Sequence, residues 1–370
     1  MFKLNPLQRR RWNNFRSNRR AYWSLIIFAV LFVISMAAEI VANDRPIMLS
    51  HNGEWMFPAL GGTYEEADFG GDPGFVADFT DPVVRCLVIA AGLDGCFDAP
   101  DEVIADARDG EVDGQPVRTG WMIWPPIPYS FNTINYDVLT APSPPDGDHW
   151  LGTDDQTRDV TARVIYGFRI SVIFALIVTF FSSVVGIFAG AVQGYFGGWL
   201  DLTFQRLIEI WQATPALYVI IIMGAIFQMS FALLTFLIVL FSWTALVGVV
   251  RAEFLRTRNF EYVRAAKALG VGDGTIMFRH MLPNAMVATI TLLPFLVTAA
   301  VGTLTGLDFL GFGLPPSYPS LGELALQGKN NLQSPHLGIT AFVTLTVLLS
   351  LLVFIFEGVR DAFDPRKTFA

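Results

Sequence analysis

Five long runs without a charged residue constrain the fold of this chain more than any other feature. The longest, Ile210–Val250, has 41 residues and no Asp, Glu, Lys or Arg. A helix needs about 20 apolar residues to cross the hydrocarbon layer of a membrane, so this run predicts two spans with a turn at 228–230. The other four runs each predict one span: Tyr22–Ala38, Ile170–Leu200, Met281–Leu307 and Asn330–Phe356. The sequence therefore predicts an all-α multispan membrane protein with six transmembrane helices.

The predicted domains follow from these runs. A basic arm at 1–21 precedes span 1 at 22–41, and the segment 43–167 holds an outer lobe and an interfacial helix. A core at 168–370 contains the other spans, at about 170–192, 211–228, 231–250, 285–306 and 337–357. A polar hairpin at 253–284 interrupts this core. Because the first apolar run is long and starts behind a basic arm, we expect an anchor and no removable signal peptide.

The distribution of charge predicts the orientation. Residues 1–42 carry seven basic side chains and one acid, whereas residues 43–160 carry 22 acids and five arginines. Basic residues accumulate in the cytoplasmic segments of membrane proteins. We therefore expect both termini and the hairpin to be cytoplasmic, and the lobe to be periplasmic, in a bacterial inner membrane. The C-terminal part of this argument uses Arg360, Arg366 and Lys367. The arginine-rich arm favours membrane lipid, and no nucleic acid, as its partner.

The lobe mixes Gly, Pro, Asp and aromatic residues without a helical period, which predicts short strands and turns. Both cysteines, Cys86 and Cys96, lie there, and a periplasmic location would permit a disulfide. Two small buried thiols are the alternative. The four histidines lack ligand spacing, so neither a metal nor a cofactor is expected. The excess of acids favours a surface that receives a partner or seals a path, and an inert insert is the alternative.

The hairpin contains the pattern of two short helices joined at a glycine. Asn259 can cap the first helix with its side-chain oxygen, and Glu261 lies in the first turn, where a carboxylate complements the helix dipole. Gly270 supplies the left-handed residue that ends this helix. Small Ala265 and Ala266 permit close approach of another backbone. The first arm is therefore predicted to be a short, capped helix with an accessible face.

The second arm is predicted to present an apolar side. Asp273 can cap its helix, and Pro283 limits how far the helix runs. Ile276, Met277 and Met281 fall on one side, which could enter a groove on a partner. The hairpin as a whole is therefore predicted to be a docking device.

The hairpin resembles the cytoplasmic coupling loop of ABC-importer permeases, whose signature is Glu-Ala-Ala, three residues, Gly, nine residues, Ile, one residue, Leu-Pro. The register is kept, but Arg264 replaces the signature Glu and His280 replaces Ile. The peptide-importing branch usually has Glu-Tyr-x-x-Ala-Ala-x-x-Leu-Gly and then Arg-His-x-Leu-Pro-Asn, which this chain matches. The resemblance implies these coupling residues: Glu261, Tyr262, Ala265, Ala266, Gly270, Arg279, His280, Leu282 and Pro283.

A second segment, before span 2, resembles the Leu-Gly-Thr-Asp, Arg-Asp-Val and Tyr-Gly-x-Arg-x-Ser stretch of dipeptide and oligopeptide permeases. Thr153 or Asp154 can cap a short interfacial helix, with Arg158, Arg163 and Arg169 at the level of the lipid headgroups. A generic helix at the membrane surface is the alternative. The resemblance implies a motif at the periplasmic entrance, made of Gly152, Thr153, Asp154, Arg158 and Asp159.

A third segment resembles the outer loop after the fifth span of the same family, where Phe-Leu-Gly-Leu-Gly precedes Pro-Pro. Non-helical backbone at membrane depth is tolerated only beside protein or a water-filled path. The resemblance therefore implies an outer gate, and a simple Gly/Pro-rich turn is the alternative. The gate candidates are Asp308, Gly311, Gly313, Pro315 and Pro316.

Segments near the N-terminus and at 249–260 look like the Yej-type subfamily, which is associated with oligopeptide and microcin C uptake. The resemblance implies a permease subunit that moves peptides, or microcin C-like conjugates, across the inner membrane by alternating access. It also implies three kinds of protein partner: a second homologous permease subunit, ATP-binding subunits and a periplasmic peptide-binding protein.

An enzymatic role is not expected. The chain lacks the Gly-x-x-x-x-Gly-Lys-Ser/Thr loop that cradles phosphate, so ATP hydrolysis is expected on a separate nucleotide-binding subunit. A membrane-embedded hydrolase would need acids or a nucleophile within the spans, and the runs carry no charge. A membrane receptor or structural anchor, with a periplasmic sensing lobe and no transport, is the alternative function.

Overall fold

The computed structural model describes residues 6–108, 111–112, 115–116 and 119–363. Lys3, Arg366 and Lys367, which contribute to the predicted orientation, lie outside these residues. The helices are α1 Pro6–Ser17, α2 Arg19–Met36, α3 Ala38–Val41, α4 Pro82–Ile89, α5 Pro100–Arg108, α6 Val160–Phe196, α7 Gly198–Ala213, α8 Ala216–Ile226, α9 Phe231–Ser242, α10 Thr244–Thr257, α11 Glu261–Ala268, α12 Asp273–Thr275, α13 Leu282–Ile290, α14 Leu293–Phe309, α15 Leu321–Asn330 and α16 Pro335–Phe363. A π-helical segment, Ile276–Met281, separates α12 from α13. The strands are β1 Met48–His51, β2 Glu54–Met56, β3 Glu111–Val112, β4 Gln115–Pro116 and β5 Trp121–Ile123.

Four of the described helical segments are long and apolar enough to cross a membrane: Arg19–Met36, Val160–Phe196, Phe231–Thr257 and Pro335–Phe363. Two bent pairs meet the same criteria, α7 with α8 at 65° and α12–α13 with α14 at 53°. If each bent pair is one span, the described residues hold up to six spans. The chain is a helical, multispan membrane protein.

The bend between α7 and α8 lies where one straight span was predicted, at 211–228. Thr214 has an extended backbone, with a ψ of 119°, because the ring of Pro215 disfavours the helical conformation of the residue before it. α7 begins at Gly198, well before the predicted span. The prediction started too late because it was based on an uncharged run, and the first part of α7 contains charged residues. Composition alone therefore locates the apolar half of this pair and misses the charged half.

The described residues form two compact units. The membrane unit comprises the described residues within Met1–Phe32, Gly167–Asn330 and Gly338–Ala370, and the lobe unit comprises those within Val33–Tyr166 and Asn331–Leu337. In the membrane unit, Phe15 and Ala21 are buried against Ala362 of α16. The basic arm is therefore a folded helix packed on the last helix of its own unit.

Three glycines on one side of α6 lie against α10 and the residue before it, Trp243. Gly186, Gly190 and Gly194 are spaced by four residues, so they share a helix face. A Cβ atom at Gly190 would lie 2.8 Å from the carbonyl oxygen of Val247, and one at Gly194 would lie 2.6 Å from that of Arg251. Small residues allow this close approach between membrane helices. α6 and the α9–α10 segment are therefore held backbone to backbone.

The lobe unit is built on an antiparallel sheet with the strand order β2-β1-β5, in which Leu49 is paired with both Met56 and Met122. Its core contains Leu49 and the disulfide between Cys86 and Cys96, whose Cα atoms are 5.5 Å apart. The prediction of strands and turns alone is wrong, because α4 and α5 are helices. Both are too short to establish a period, although Asp81 caps α4 by accepting the backbone N–H of Val83 at 2.8 Å.

Candidate functional site

The first arm of the hairpin ends in a Schellman motif, as the position of its glycine predicts. Gly270 has a φ of +76°, in the left-handed region. The backbone N–H of Val271 donates to the carbonyl of Ala266 at 3.1 Å, and that of Gly270 donates to the carbonyl of Lys267 at 3.0 Å. These bonds pair the last carbonyls of α11 and turn the chain into the second arm. The turn geometry therefore depends on a glycine at this position.

Both predicted side-chain caps of the hairpin are wrong. The residue before α11 is Phe260, and Asn259 lies one position too early to cap the helix. Asp273 is the first residue of α12, preceded by Gly272. The carboxylate of Asp273 instead accepts a hydrogen bond from the hydroxyl of Tyr195 in α6. The predicted limit at Pro283 is also wrong, because this residue lies in the first turn of α13, where the missing N–H costs nothing.

The apolar side of the second arm faces inward, which corrects the prediction that it enters a groove on a partner. Ile276 and Met281 are fully buried, and Met277 is nearly so. They pack against Val250 and Phe254 of α10, among others. The π-helical segment explains their direction, because its i to i+5 bonding brings positions 276 and 281 to the same side.

The accessible face of the hairpin comes mainly from its first arm and turn. Glu261, Tyr262 and Ala265 are exposed. Leu269, which belongs to the motif but was not among the coupling candidates, is 83% exposed beside the glycine turn. The signal that could have found it is the Leu-Gly pair that ends the first half of the motif of the peptide-importing branch. Of the other coupling candidates, Arg279, His280 and Pro283 are exposed, whereas Ala266 and Leu282 are half-buried.

Tyr195 connects both arms of the hairpin to α6, and sequence reasoning missed it. Its side chain is buried, its hydroxyl donates to Asp273 of the second arm, and Lys267 Nζ of the first arm lies 4.6 Å from the centroid of its ring. Asn284 also ties the arms together, because its Nδ2 donates to the hydroxyl of Tyr262 at 3.3 Å. The hairpin is thus fixed to the end of a long apolar helix by named polar contacts.

The segment after α14 is folded around one carboxylate. Asp308 is buried, and its Oδ1 accepts the backbone N–H of Leu314 at 2.7 Å. Its Oδ2 accepts a hydrogen bond from the hydroxyl of Ser320. Ser320 Oγ in turn accepts the backbone N–H groups of Gly322 and Glu323, at 3.1 and 3.3 Å, and so caps α15. Asp308 therefore closes the loop that joins two helices.

The other gate candidates shape this loop. Gly311 has a φ of +78°, and a Cβ atom at Gly313 would overlap the side chain of Asp308. Pro315 is half-buried and Pro316 is exposed. Ser320 was not among the candidates, although Ser320 to Glu323 has the Ser-x-x-Glu pattern of a capping box. Their role as a gate stays a prediction.

In the lobe unit, the predicted entrance motif forms a buried polar cluster before α6. Asp154 Oδ1 accepts the backbone N–H groups of Gln156 and Arg158 at 2.9 and 3.0 Å, and Oδ2 accepts Nε of Arg158 at 2.7 Å. Arg163 Nε lies 3.4 Å from the same carboxylate. Arg158 and Arg163 are only 4% and 1% exposed. Their predicted position among lipid headgroups is therefore wrong, because a buried carboxylate holds both side chains inside the protein.

The start of α6 also differs from the prediction. Asp159 is the cap, because its Oδ1 accepts the backbone N–H of Ala162 at 2.7 Å, while its Oδ2 lies 2.8 Å from Nδ1 of His149. Thr153 Oγ1 instead accepts the backbone N–H of Ser143 at 2.9 Å. No separate interfacial helix precedes the apolar run in the described residues, because α6 continues from Val160 to Phe196. Gly152, with a φ of +78°, allows the backbone to pass close to the carbonyl of Ser143 and the ring of His336.

Three titratable groups beside this cluster have shifted pKa values. Burial, together with the negative charge of Asp154, raises the pKa of the Asp155 carboxyl. The backbone N–H of His149 donates to Asp146 at 2.6 Å and lowers the pKa of that carboxyl. Burial, together with the negative charge of Asp148, raises the pKa of the Tyr129 hydroxyl. The shifts of Asp146 and Tyr129 move their pKa values away from neutrality, so neither of these two groups is poised for acid or base catalysis near pH 7. Within the described ranges, no group of three or more His, Cys, Asp or Glu side chains could hold a metal ion.

Comparison with known proteins decides the family. Residues 182–369 match the family described as the binding-protein-dependent transport system inner membrane component. The chain belongs to this family. As an inner membrane component of an ABC transporter, it is a multi-pass protein of the inner membrane, and ATP hydrolysis in this family is carried by a separate subunit.

Two relatives of this inner membrane component match it over nearly its whole length, and a third matches part of it. The peptidoglycan transport system permease protein YejE of Agrobacterium fabrum is 51% identical over 99% of this chain and 95% of its own length. The inner membrane ABC transporter permease protein YejE of Escherichia coli is 51% identical over 99% of both chains. The dipeptide transport system permease protein DppC of Bacillus subtilis is 32% identical over 60% of this chain and 70% of its own. An inward-facing structure of the MetNI methionine ABC transporter aligns with a TM-score of 0.47 and 16% identity, over 55% of this chain and 96% of that chain.

Proposed function

We propose that this permease moves peptides across the inner membrane, inward, in an ATP-driven importer. The observation that carries the proposal is the hairpin, whose motif has the register of the peptide-importing branch and whose exposed face is fixed to α6. The names of the relatives support a cargo that contains a peptide chain, since one is a dipeptide permease and another a permease for peptidoglycan, a glycan that carries peptide stems. A receptor or anchor is not supported, because these relatives are transport permeases.

The hairpin acts by transmitting force. An ATP-binding subunit docks on the exposed face around Tyr262, Ala265 and Leu269, and its movement rotates the two arms. Tyr195 passes this rotation to α6, and the buried residues of the second arm pass it to α10. The same body of helices then opens the path alternately to the two sides of the membrane.

The proposed orientation follows the charge distribution. The hairpin and both termini are cytoplasmic, and the acidic lobe is periplasmic, where Cys86 and Cys96 can be oxidised. The partners are ATP-binding subunits, a second homologous permease subunit and a periplasmic peptide-binding protein. The gate candidates around Asp308 lie at the outer mouth.

Uptake by the reconstituted complex tests the proposal. Proteoliposomes carrying the chain with its permease partner, the ATP-binding subunits and the binding protein should accumulate a radiolabelled tripeptide only when ATP reaches the ATP-binding subunits. The same vesicles with a non-hydrolysable ATP analogue serve as the control. Failure of an ATP-binding subunit to copurify with the chain, together with no uptake, would instead support a receptor or anchor.

A further inference from the structure

The lobe unit contains a groove of about 1000 Å³ that the proposed transport cycle does not use. Residues of α4 and α5 line one part of it, and β5 with its flanking residues lines another. The charged and large side chains that matter for its chemistry are Arg85, Asp101, Arg108, Trp121, Met122 and Trp124. The groove therefore combines aromatic surface with a preponderance of cations.

The groove follows the edge of a β-strand. β5 pairs with β1 on one side, with Leu49 opposite Met122, and it is the last strand in the order β2-β1-β5. Successive side chains of a strand point to opposite faces of the sheet. Because both Trp121 and Met122 line the groove, it passes along the strand and is not confined to one face. In the part of the chain that the structure describes, no further strand pairs with β5, so its outer edge can accept an extended chain.

The charge of the groove is opposite to that of the segment around it. Residues 43–160 carry 22 acids and five arginines. Two of those arginines, Arg85 and Arg108, line this one groove, with Asp101 as the acid among its lining residues. A ligand with a negative end is therefore favoured at this place on an otherwise acidic surface.

Arg85 is held in a fixed orientation. Its Nε donates to the carbonyl of Phe79 at 3.0 Å, and its Cζ lies 4.9 Å from the centroid of the Trp124 ring. None of the ion pairs found among the described residues involves Arg85. A planar guanidinium held in this way can bind a carboxylate through its terminal nitrogens, with little loss of side-chain entropy.

We propose that this groove binds the C-terminal part of a short, extended peptide. The peptide backbone is added to the free edge of β5 as a further strand, and its terminal carboxylate is bound by Arg85 and Arg108. Trp121 and Trp124 contact its apolar side chains. This inference rests on the proposed function, because the ligand belongs to the chemical class of the cargo, and it gives the lobe its own peptide site.

Direct binding to the full-length chain tests the inference. The chain is purified in lipid nanodiscs, and fluorescence anisotropy measures its affinity for Ala-Leu-Ala-Leu labelled at the N-terminus. The same peptide with a C-terminal amide should bind about tenfold more weakly or worse, because it loses a charge-assisted hydrogen bond. A peptide methylated on the backbone nitrogens that face the strand should also lose about tenfold, because it cannot donate to β5.

Variants assign the site to the groove. Arg85→Gln and Arg108→Gln should each weaken binding of the free acid about tenfold and leave binding of the amide unchanged. Arg45→Gln is the matched control, since it makes the same substitution in the same unit, outside the groove lining. Arg85→Gln removes the hydrogen bond to Phe79 and could perturb folding of the lobe. Arg108 is exposed at the end of α5, so Arg108→Gln tests the site without this complication.

Three results would overturn the inference: equal affinity for acid and amide, full binding of the methylated peptide, or no saturable binding at millimolar peptide. A loss in Arg45→Gln equal to that in both groove variants would overturn the location. Because binding is measured without ATP or partners, peptide binding by a chain whose complex imports nothing would contradict the proposed function alone. Import without any binding to the groove would contradict this inference alone.

Discussion

The hydroxyl of Tyr195 donates a hydrogen bond to the carboxylate of Asp273, and this contact joins α6 to the second arm of the hairpin. The ring of the same tyrosine lies beneath Lys267 of the first arm, 4.6 Å from Nζ. A single side chain at the end of a span therefore restrains both arms. We therefore expect movement of the hairpin to pass to α6 through this side chain, without an intervening flexible loop.

Tyr195→Phe should weaken this connection and keep the ring beneath Lys267. A hydrogen bond to a charged group contributes about 1.5–3 kcal/mol, so we expect peptide transport to fall several-fold while the ATP-binding subunit still copurifies. Transport per ATP hydrolysed in proteoliposomes is the measurement. Tyr218→Phe, at a tyrosine that is 65% exposed, is the matched control. Equal coupling ratios in the two variants would argue against the role of Tyr195.

Gly270→Val should abolish coupling because a β-branched residue is strongly disfavoured at a φ of +76°. The cost of the left-handed backbone is about 1–3 kcal/mol, which is enough to rearrange the turn. Gly272→Val is the control, since Gly272 has a φ of −64° and open space around its Cβ position. ATP-dependent uptake should be lost in the first variant and retained in the second. Normal uptake by Gly270→Val would show that the turn geometry is not needed.

Ser320→Ala should destabilise the loop around Asp308. The substitution removes a buried hydroxyl that donates to Asp308 and accepts two backbone N–H groups at the start of α15. Loss of the cap and of the buried partner should cost about 1–3 kcal/mol. The melting temperature in detergent should therefore fall, whereas Ser317→Ala, at an exposed serine of the same loop, should leave it unchanged. Equal melting temperatures would contradict this account of the loop.

Gly190→Val should separate α6 from α10. Its Cβ atom would lie 2.8 Å from the Val247 carbonyl and 2.9 Å from Val250 Cβ, so the backbones must move apart. Overpacking of this kind costs about 1–3 kcal/mol. Thermal unfolding in detergent should begin at a lower temperature than for Gly302→Val in α14, where no atom lies within 4 Å of the Cβ position. A larger loss in the control would refute the close packing.

Cysteine labelling should report the proposed orientation. Leu269→Cys should react with a membrane-impermeant maleimide only after cells are opened, and Tyr136→Cys should react in intact cells, since both positions are highly exposed. Thr257 is a poor position for this purpose because it is only 2% exposed. The native cysteines do not need to be replaced for this experiment, because Cys86 and Cys96 are bonded to each other and have no free thiol to label. Labelling of Leu269→Cys from outside would reverse the orientation.

What the sequence predicts well is local. Gly270 ends α11 as expected, because the left-handed requirement and the glycine that meets it occur at one position. The uncharged runs predict the apolar helices for the same reason, since each helix satisfies its own backbone hydrogen bonds.

Contacts between distant segments explain the failures. Ile276 and Met281 look like a surface for a partner until α10 supplies Phe254 to cover them. Asp273 looks like a cap until Tyr195, 78 positions away, donates to it. Arg163 looks like a headgroup ligand until Asp154 is brought beside it. In the first two cases the deciding residue lies outside the window in which a pattern can be recognised. Asp154 lies nine positions from Arg163, but it belongs to the loop before α6, so no helical spacing connects the two.

The glycine face of α6 limits the kinds of movement that the membrane unit can make. The side chains of Leu246 and Val250 pack directly onto this face, since their Cβ atoms would lie 3.2 and 2.9 Å from Cβ atoms placed at Gly186 and Gly190. Sliding of the helices would therefore disrupt the whole close-packed contact at once. α6 and α9–α10 should therefore move together as one rigid body, with Tyr195 at the end that contacts the hairpin. The flexing points would then lie at the breaks, at Pro215 between α7 and α8 and at 291–292 between α13 and α14. We therefore expect the conformational change of transport to consist of bending at these two breaks, while α6 and α9–α10 stay rigid.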